Sequence, residues 1–296
     1  MTRTIELTGT DVAFRCDDEL GEGPVWESGR EALLWVDIIR KLVHVWHPGS
    51  GRHSAFATAE SVGAVLPRRE GGALAAIGQG FWLFDLESGA AEEILNLGLD
   101  DATLRLNDAK CDRAGRVWAG TMSETLSPGA ATLYRLDANR SLHAVVPGVT
   151  VSNGTDWSPG DTEMYYVDTL QHGVDVFDFD AGSGDVARRR RLVDIPEDVG
   201  WPDGLTVDAD GGIWVALCYG GALHRYTPAG ELDTVVRLPV TMVTSCAFGG
   251  PDLRDLYVTT GLTTLGDAER AAQTLAGSVF CFTPGVSGLP ASPSAA

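Results

Sequence analysis

The sequence has few basic residues and no long hydrophobic run. It contains 22 Lys and Arg against 41 Asp and Glu, a formal net charge of −19. A chain this acidic lacks the basic surface that nucleic-acid binding needs. No apolar stretch approaches the length of a membrane span, and the N-terminal residues lack the apolar core of a signal peptide. The composition therefore argues against nucleic-acid and membrane partners.

Paired cysteines and common catalytic motifs are also missing. No C-x-x-C pair occurs, so the sequence indicates neither a zinc ribbon nor a disulfide framework. Isolated cysteines of this kind are typical of buried thiols in a reducing compartment, and we expect a cytoplasmic protein. There is no G-x-S-x-G, H-E-x-x-H or G-x-x-x-x-G-K-[ST] motif, which leaves a serine triad, a zinc protease and a P-loop without support. The five cysteines are Cys16, Cys111, Cys218, Cys246 and Cys281.

What the sequence does contain is a repeat. Six short apolar strands are each followed by a hairpin and a polar turn, and one residue can be taken at the equivalent point of each. These anchor residues are Trp35, Ala75, Trp118, Tyr166, Trp214 and Tyr257. Their spacing averages about 44 residues, the period of a four-stranded propeller blade. The sequence therefore predicts an all-β fold, a six-bladed β-propeller with a central channel, and the oxygen-bearing side chains described below make it a central metal-containing channel.

Six blades of this length leave no room for a linker. Residues 1–296 are therefore predicted to form a single propeller domain with an ordered core at about 5–285, and a monomer is the default expectation. The segment 5–15 is predicted to be a strand that pairs with the last blade and closes the ring. A helix is predicted over 267–277. The Pro- and Ser-rich tail 286–296 is predicted to be disordered.

The start of each innermost strand is the position that faces the channel. The gap from this position to the anchor residue is 11 or 13 residues, and a difference of two preserves side-chain direction in a strand. Trp26, Trp157 and Trp201 lie near these positions and are predicted to be core residues rather than ligand platforms. The six channel positions are Glu22, Val62, Asn107, Asn153, Asp203 and Thr244.

Four of these positions carry a carboxylate or a carboxamide. Glu22, Asn153 and Asp203, each followed by Gly, form a hard oxygen set that suits one divalent ion, with Ca²⁺ favoured, Mg²⁺ and Mn²⁺ possible and Zn²⁺ less suited. Taken singly, each could instead be a turn residue, but turn preference does not explain their common register. Arg105 and Asn107 add a donor pair. Arg105 either forms an ion pair at the surface or uses its forked guanidinium to donate hydrogen bonds to substrate oxygens.

Six motifs carry a resemblance to a known family. They are LGEGPVW (20–26), RLNDAKCDRAGRVWAGTM (105–122), VSNGTDWSP (151–159), YYVDTL (165–170), WPDGLTVDADGGIWVA (201–216) and CAFGGPDL (246–253). Together they resemble the SMP-30/gluconolactonase/luciferin-regenerating-enzyme family, which includes regucalcin and the bacterial sugar lactonases. The likeness extends from about residue 16 to residue 285. It implies a six-bladed propeller, in agreement with the repeat.

The resemblance also implies roles for particular residues. Glu22, Asn153 and Asp203 match the family's metal ligands, and Asp203 its candidate general base. Arg105 and Asn107 match its substrate contacts. A further acidic residue of the family follows the GTM motif, and its nearest match in this chain is Glu124.

The predicted function is divalent-metal-dependent hydrolysis of a sugar-acid lactone to the aldonic acid. The protein would then be a carboxylic-ester hydrolase with a small-molecule substrate. The alternatives are a metal-dependent esterase or phosphotriesterase that uses the same site, a non-catalytic binding propeller, and a calcium-handling role without turnover.

Overall fold

The computed structural model describes residues 2–296 and shows a six-bladed β-propeller, which confirms the predicted all-β architecture; the metal content of the channel stays a prediction. Before the first blade lie β1 (Arg3–Glu6) and β2 (Val12–Phe14). Blades 1 to 3 consist of β3 (Gly21–Glu27), β4 (Ala32–Asp37), β5 (Leu42–His47), β6 (Arg52–Ala57), β7 (Val62–Pro67), β8 (Ala73–Ile77), β9 (Gly80–Phe84), β10 (Ala91–Asn96), β11 (Leu104–Cys111), β12 (Val117–Ser123), β13 (Ala131–Leu136) and β14 (Leu142–Val149). Blades 4 to 6 contain β15 (Ser152–Trp157), β16 (Glu163–Asp168), β17 (Gly173–Asp180), β18 (Asp185–Asp194), β19 (Trp201–Val207), β20 (Ile213–Cys218), β21 (Ala222–Tyr226), β22 (Leu232–Arg237), β23 (Val243–Gly249), β24 (Asp255–Thr260) and β25 (Val279–Phe282).

The first strand of each blade contacts the first strand of the next blade, and β23 of the sixth blade returns to β3 of the first. These six strands therefore surround the central channel. All six anchor residues of the repeat lie in the second strand of their blades and are buried. Their side chains pack between neighbouring blades, where most of the core is found. The repeat in the sequence is thus the repeat of the structure.

The ring is closed by the N-terminal part of the chain. Strand β2 pairs with β25 and completes the sixth blade, as predicted, with Val12 opposite Phe280. Strand β1 was not foreseen as a separate element. It pairs in parallel with β22 and adds a fifth strand to blade 5. The two strands are separated by the 3₁₀ turn Gly9–Asp11, in which the Thr8 N–H donates a hydrogen bond to Asp11 Oδ2 at 2.7 Å.

All six innermost strands share an irregularity at the channel position. In each of them the pairing with the second strand shifts register, which is the mark of a β-bulge. The shifts fall between Glu22 and Val25, Val62 and Ala64, Leu106 and Ala109, Ser152 and Thr155, Pro202 and Leu205, and Val243 and Ser245. Because a bulge re-aims the side chains beside it, this common feature directs the channel positions of different blades toward one point.

The innermost strands also approach each other closely at this level. A Cβ atom added to Gly154 would lie 2.6 Å from Leu205 N and 2.7 Å from Asp203 O. Backbone from blade 5 therefore occupies the space that a side chain at position 154 would need. Glycine is required here by the close approach of two strands, which brings the residues beside it within reach of one another.

Two local predictions need correction. The helix α1 (Asp267–Ala272) is shorter than the predicted 267–277, because Gln273 leaves the helical conformation. The Gln273 side chain instead accepts a hydrogen bond at Oε1 from the Thr241 N–H, at 2.6 Å. The helix belongs to the connection between β24 and β25, at the same end of the ring as the starts of the innermost strands.

Within residues 2–296 the structure contains no helix with the length and apolar character needed to span a membrane.

The predicted disorder of the tail 286–296 is wrong. The Ser294 N–H donates to Pro67 O at 2.8 Å, and the Ala209 N–H donates to Ser287 O at 2.9 Å. Composition alone gave no sign of this order, because the partners of the tail are backbone groups of turns at the far end of blades 2 and 5. The tail thus crosses the end of the channel opposite the strand starts.

Candidate metal centre and active site

The structure brings Glu22, Asn153 and Asp203 together at one end of the channel. They lie near the starts of β3, β15 and β19, at the bulges of three different blades. The side chains of Glu22 and Asn153 both lie beside the Asp203 carboxyl. Each of the three residues is less than a tenth exposed. We refer to these three residues as the hub.

The hub carries negative charge that no basic side chain balances in full. Burial raises the pKa of Glu22 well above its ordinary value, and the nearby charges of Asp203 and Asp108 raise it further, while Arg105 lowers it by a smaller amount. Burial likewise raises the pKa of Asp203, with Asp108 adding to the effect. Two crowded carboxylates without a matching cation favour the binding of a positive ion.

The Asn153 amide supplies a free acceptor in the same place. Its Nδ2 donates to Thr169 Oγ1 at 3.1 Å, which fixes the orientation of the amide. Its Oδ1 is buried and has no hydrogen-bond partner among residues 2–296. A buried polar atom is rarely left unpaired, so this oxygen is in the state expected of a ligand to a cation.

The donor set of the hub therefore fits a hard divalent cation. It combines two carboxylates with one amide oxygen, the ligand types that Ca²⁺, Mg²⁺ and Mn²⁺ prefer. No group of three or more His, Cys, Asp and Glu side chains within residues 2–296 is arranged to hold a metal. The hub differs from such a group because its third oxygen belongs to Asn153.

A polar wall on blade 3, formed by Arg105, Asn107 and Glu124, borders the hub. Arg105 Nη1 donates to Asn107 Oδ1 at 2.8 Å and to Leu106 O at 3.0 Å. Asn107 Nδ2 in turn donates to Ser152 O at 2.9 Å, which joins blade 3 to blade 4. Glu124 Oε1 lies 3.7 Å from Arg105 Nε, and the Glu124 side chain is 56% exposed. The structure thus places all three predicted substrate-contact residues together.

Burial is the largest influence on the pKa of Arg105. It lowers the pKa of the guanidinium, while the charges of Glu124 and Glu22 act in the opposite direction. The group keeps its charge at neutral pH, since its ordinary pKa is above 12. A cationic fork that is 11% exposed and already held by two acceptors is well placed to orient oxygens of a small molecule.

Asp108 is a functional candidate that the sequence reasoning missed. Strict alternation along β11 would turn it away from Asn107, but the bulge between Leu106 and Ala109 brings it toward the channel as well. Burial raises its pKa to about 6, and Lys110 lowers it in part. Its charge also acts on both hub carboxylates. The sequence signal was an acidic residue directly after a channel position.

The tryptophans near the hub fall into two classes. Trp26 and Trp157 are buried in the core, as predicted. Trp201 follows that prediction in part, because it packs against the core cluster that contains Trp214 but is only half-buried, and its ring also contacts those of His172 and Tyr219. It begins β19, two residues before Asp203, so it lies at the mouth of the channel.

Comparison with known proteins finds relatives along nearly the whole chain. The sequence model described as "SMP-30/Gluconolactonase/LRE-like region" matches residues 20–262. Regucalcin from Danio rerio is 37% identical over 277 residues, which cover 92% of this chain and 94% of that protein. The "Putative sugar lactone lactonase YvrE" of Bacillus subtilis is 35% identical over 262 residues, covering 88% of this chain and 90% of that protein.

A solved structure agrees with these sequence relationships. It belongs to a protein from Agrobacterium tumefaciens described as calcium-binding and as regucalcin. This chain is 26% identical to it and superposes with a TM-score of 0.94, covering 99% of each chain. Because the family model spans most of the sequence and the relatives match over nearly their full length, the chain belongs to the SMP-30/gluconolactonase/luciferin-regenerating-enzyme family.

Proposed function

We propose that this protein hydrolyses a sugar-acid lactone to the aldonic acid with the help of one divalent ion, Ca²⁺ being favoured. One observation carries the proposal: a buried anionic hub with a free Asn153 oxygen stands directly beside a fixed Arg105 fork. The names of the relatives, regucalcin and sugar lactone lactonase, support this choice of substrate and ion.

In this proposal Glu22, Asn153 and Asp203 hold the ion. When bound, the ion supplies positive charge that polarises the lactone carbonyl. Asp203 is the general base and accepts a proton from the attacking water. The water oxygen forms a bond to the carbonyl carbon, the bond from that carbon to the ring oxygen breaks, and the ring oxygen leaves as a hydroxyl after it receives the proton that Asp203 accepted. One water is consumed for each ring opened.

The polar wall orients the substrate. Arg105 donates to substrate oxygens, and its own position is fixed by Asn107 Oδ1 and Leu106 O. The exposed carboxylate of Glu124 is available to accept hydrogen bonds from sugar hydroxyls. Such contacts favour the binding of a ring that carries several hydroxyl groups. A neutral phosphotriester or a simple ester would gain little from the guanidinium, so the wall favours the lactone over these alternatives.

The test is a titration of acid release at constant pH with a panel of sugar lactones. The protein is stripped of metal and assayed again after Ca²⁺, Mg²⁺, Mn²⁺ or Zn²⁺ is added. We expect activity only with metal. We also expect Asp203→Asn and Glu22→Gln to lower kcat/KM by about 100-fold or more, since each removes a charged ligand of the ion. Asp178→Asn is the matched control, because Asp178 lies on β17, far from the hub, and pairs with surface arginines of β18.

Full lactone turnover by both Asp203→Asn and Glu22→Gln would refute the mechanism. A phosphotriester and 4-nitrophenyl acetate belong in the same panel. A higher kcat/KM for either of these than for every lactone would show that the protein is an esterase or phosphotriesterase instead.

We further propose that the protein acts as a monomer in the cytoplasm. All five cysteines are free thiols, which supports a reducing compartment. Light scattering coupled to size-exclusion chromatography would test the monomer against the chain mass of 31.4 kDa.

A further inference from the structure

Three aromatic side chains form a continuous surface at the mouth of the channel. We call His172, Trp201 and Tyr219 the aromatic shelf. The rings of His172 and Trp201 lie 6.0 Å apart at an interplanar angle of 82°, and those of Trp201 and Tyr219 lie 5.3 Å apart at the same angle. Edge-to-face contacts of this kind hold the rings in a defined arrangement.

The shelf is connected to two residues of the hub. His172 directly follows the 3₁₀ turn Thr169–Gln171, whose Thr169 Oγ1 accepts the hydrogen bond from the Asn153 amide. Trp201 stands two residues before Asp203 on β19. The structure therefore fixes the shelf and the hub through the same two segments of blades 4 and 5.

The exposed large apolar side chains concentrate at this end of the ring. The channel positions lie at the starts of the innermost strands, so the loops between second and third strands and the loops between blades belong to the same end. Among residues 2–296 five large hydrophobic side chains are exposed; four of them lie in such loops, and Leu232 is at the other end. The four are Ile39, Leu126, Val199 and Tyr219. An apolar surface beside a polar site is typical of ligand pockets.

The backbone of the shelf is held in an uncommon conformation. His172 has a φ of 47° and Tyr219 a φ of 64°, in the left-handed region that L-residues other than Gly rarely adopt. Both residues lie in turns between the second and third strands of their blades, so the turns hold their backbone in this conformation. In addition, His172 Nδ1 is buried and has no hydrogen-bond partner within residues 2–296. The packing of the shelf therefore leaves one buried nitrogen of His172 available to form a hydrogen bond with a ligand.

We propose that the aromatic shelf binds the carbon–hydrogen face of the lactone ring and so selects ring-shaped substrates. This inference rests on the proposed lactonase function. Asn153 of blade 4 lies between the polar wall on blade 3 and the shelf on blades 4 and 5. A ring held over the hub meets hydrogen-bond donors on one side and aromatic faces on the other. Trp201 and Tyr219 are thus specificity-determining residues.

The first experiment measures binding without turnover. A sugar lactam, in which N–H replaces the ring oxygen, resists hydrolysis and presents the same ring face. Calorimetry in saturating Ca²⁺ should show that Trp201→Ala binds the lactam about tenfold more weakly than the wild type, while Trp201→Phe stays within about threefold. Trp82→Ala is the matched control, because Trp82 is a half-buried tryptophan of β9 that lies in blade 2.

The second experiment separates a binding role from a structural one. Trp201→Ala and Tyr219→Ala should raise KM for lactones about tenfold and leave kcat within about threefold, since the shelf contacts the substrate and not the reacting atoms. Their Ca²⁺ affinity should equal that of the wild type. Turnover of 4-nitrophenyl acetate, which has no ring face to place on the shelf, should be unchanged.

The proposal is overturned if Trp201→Ala binds the lactam as tightly as the wild type, or if the wild type does not bind it. It is also overturned if Trp201→Ala loses lactone and 4-nitrophenyl acetate turnover equally, because that result indicates damage to the hub. Failure of the proposed function is a different result, namely lactam binding that depends on Trp201 without lactone turnover by the wild type.

Discussion

Replacement of Asp18 by Asn should stabilise this protein at neutral and alkaline pH. Asp18 is 2% exposed and accepts a hydrogen bond from Trp35 Nε1 at 2.8 Å. Its other oxygen lies 3.5 Å from His44 Nε2. Burial lowers the pKa of His44 to about 3, so the imidazole is neutral and cannot balance the carboxylate. Burial raises the pKa of Asp18 to about 7, against an ordinary value of 3.8.

These values set the sign and the size of the effect. The folded protein holds the Asp18 proton more tightly than the unfolded chain, so the contribution of Asp18 to stability is greatest below pH 3.8 and is lost as the pH rises to about 7. A shift of about three pKa units corresponds to about 4 kcal/mol. In Asp18→Asn the amide oxygen can still accept the hydrogen bond from Trp35 Nε1. The amide NH₂ can donate a hydrogen bond to His44 Nε2, which has no hydrogen-bond partner within residues 2–296.

We therefore expect Asp18→Asn to be more stable than the wild type by about 2 kcal/mol at pH 8, with the difference nearly absent at pH 5. The measurement is urea unfolding followed by circular dichroism at both pH values, in excess Ca²⁺. Asp208→Asn is the control. Asp208 also accepts a hydrogen bond from a tryptophan, Trp214, but its carboxylate forms an ion pair with Arg225 at 2.7 Å. That variant should lose about 3 kcal/mol at both pH values.

The reasoning is refuted if Asp18→Asn is destabilised at pH 8 by as much as Asp208→Asn. Equal stability gains at pH 5 and pH 8 would also contradict it, because the gain would then have no connection with the ionisation of Asp18.

Three further predictions concern the hub. Thr169→Val should weaken Ca²⁺ binding about tenfold in calorimetry, because the Asn153 amide loses its support, while Thr169→Ser should bind normally. Gly154→Ala should lower the free energy of unfolding by about 2 kcal/mol or more in urea titrations, since its Cβ would lie 2.6 Å from Leu205 N. Asp108→Asn should weaken Ca²⁺ binding about tenfold, because a half-buried negative charge beside the hub is lost.

The blades and the convergence at the hub could be predicted because both depend on local periodicity. A strand alternates its side chains with a period of two, and the anchor residues recur once per blade. Together these two periods place Glu22, Asn153 and Asp203 in equivalent positions without any three-dimensional information. The ring closure by β2 was predictable for a similar reason, since an N-terminal strand relieves an exposed sheet edge.

The features that escaped prediction depend on contacts with distant segments or on broken periodicity. The order of the tail 286–296 comes from backbone groups in the turns of other blades, and composition does not report them. Asp108 was missed because a bulge overrides the alternation on which the prediction relied. Trp201 packs against the core as predicted, but its contacts with His172 and Tyr219 at the channel mouth, where it stays half-buried, join residues distant in sequence.

The six bulges show how a symmetrical ring can hold an asymmetrical site. Every innermost strand has the same irregularity at the same level, so the scaffold offers six nearly equivalent positions around one point. At two of them the side chains are Val62, which is apolar, and Thr244, whose hydroxyl donates to Gly21 O at 2.6 Å. The remaining four carry the hub and the start of the polar wall.

Substitution at a single bulge can therefore change the chemistry of the site without disturbing the core, because the anchor residues that hold each blade lie one strand further out. The hub and the core are distinct layers of the same repeat. Cation binding should consequently be lost in Glu22→Gln while the thermal stability of the metal-free protein is kept or increased, since a buried carboxylate with a raised pKa is removed. A melting temperature of metal-free Glu22→Gln well below that of metal-free wild type would show that the two layers are not separate.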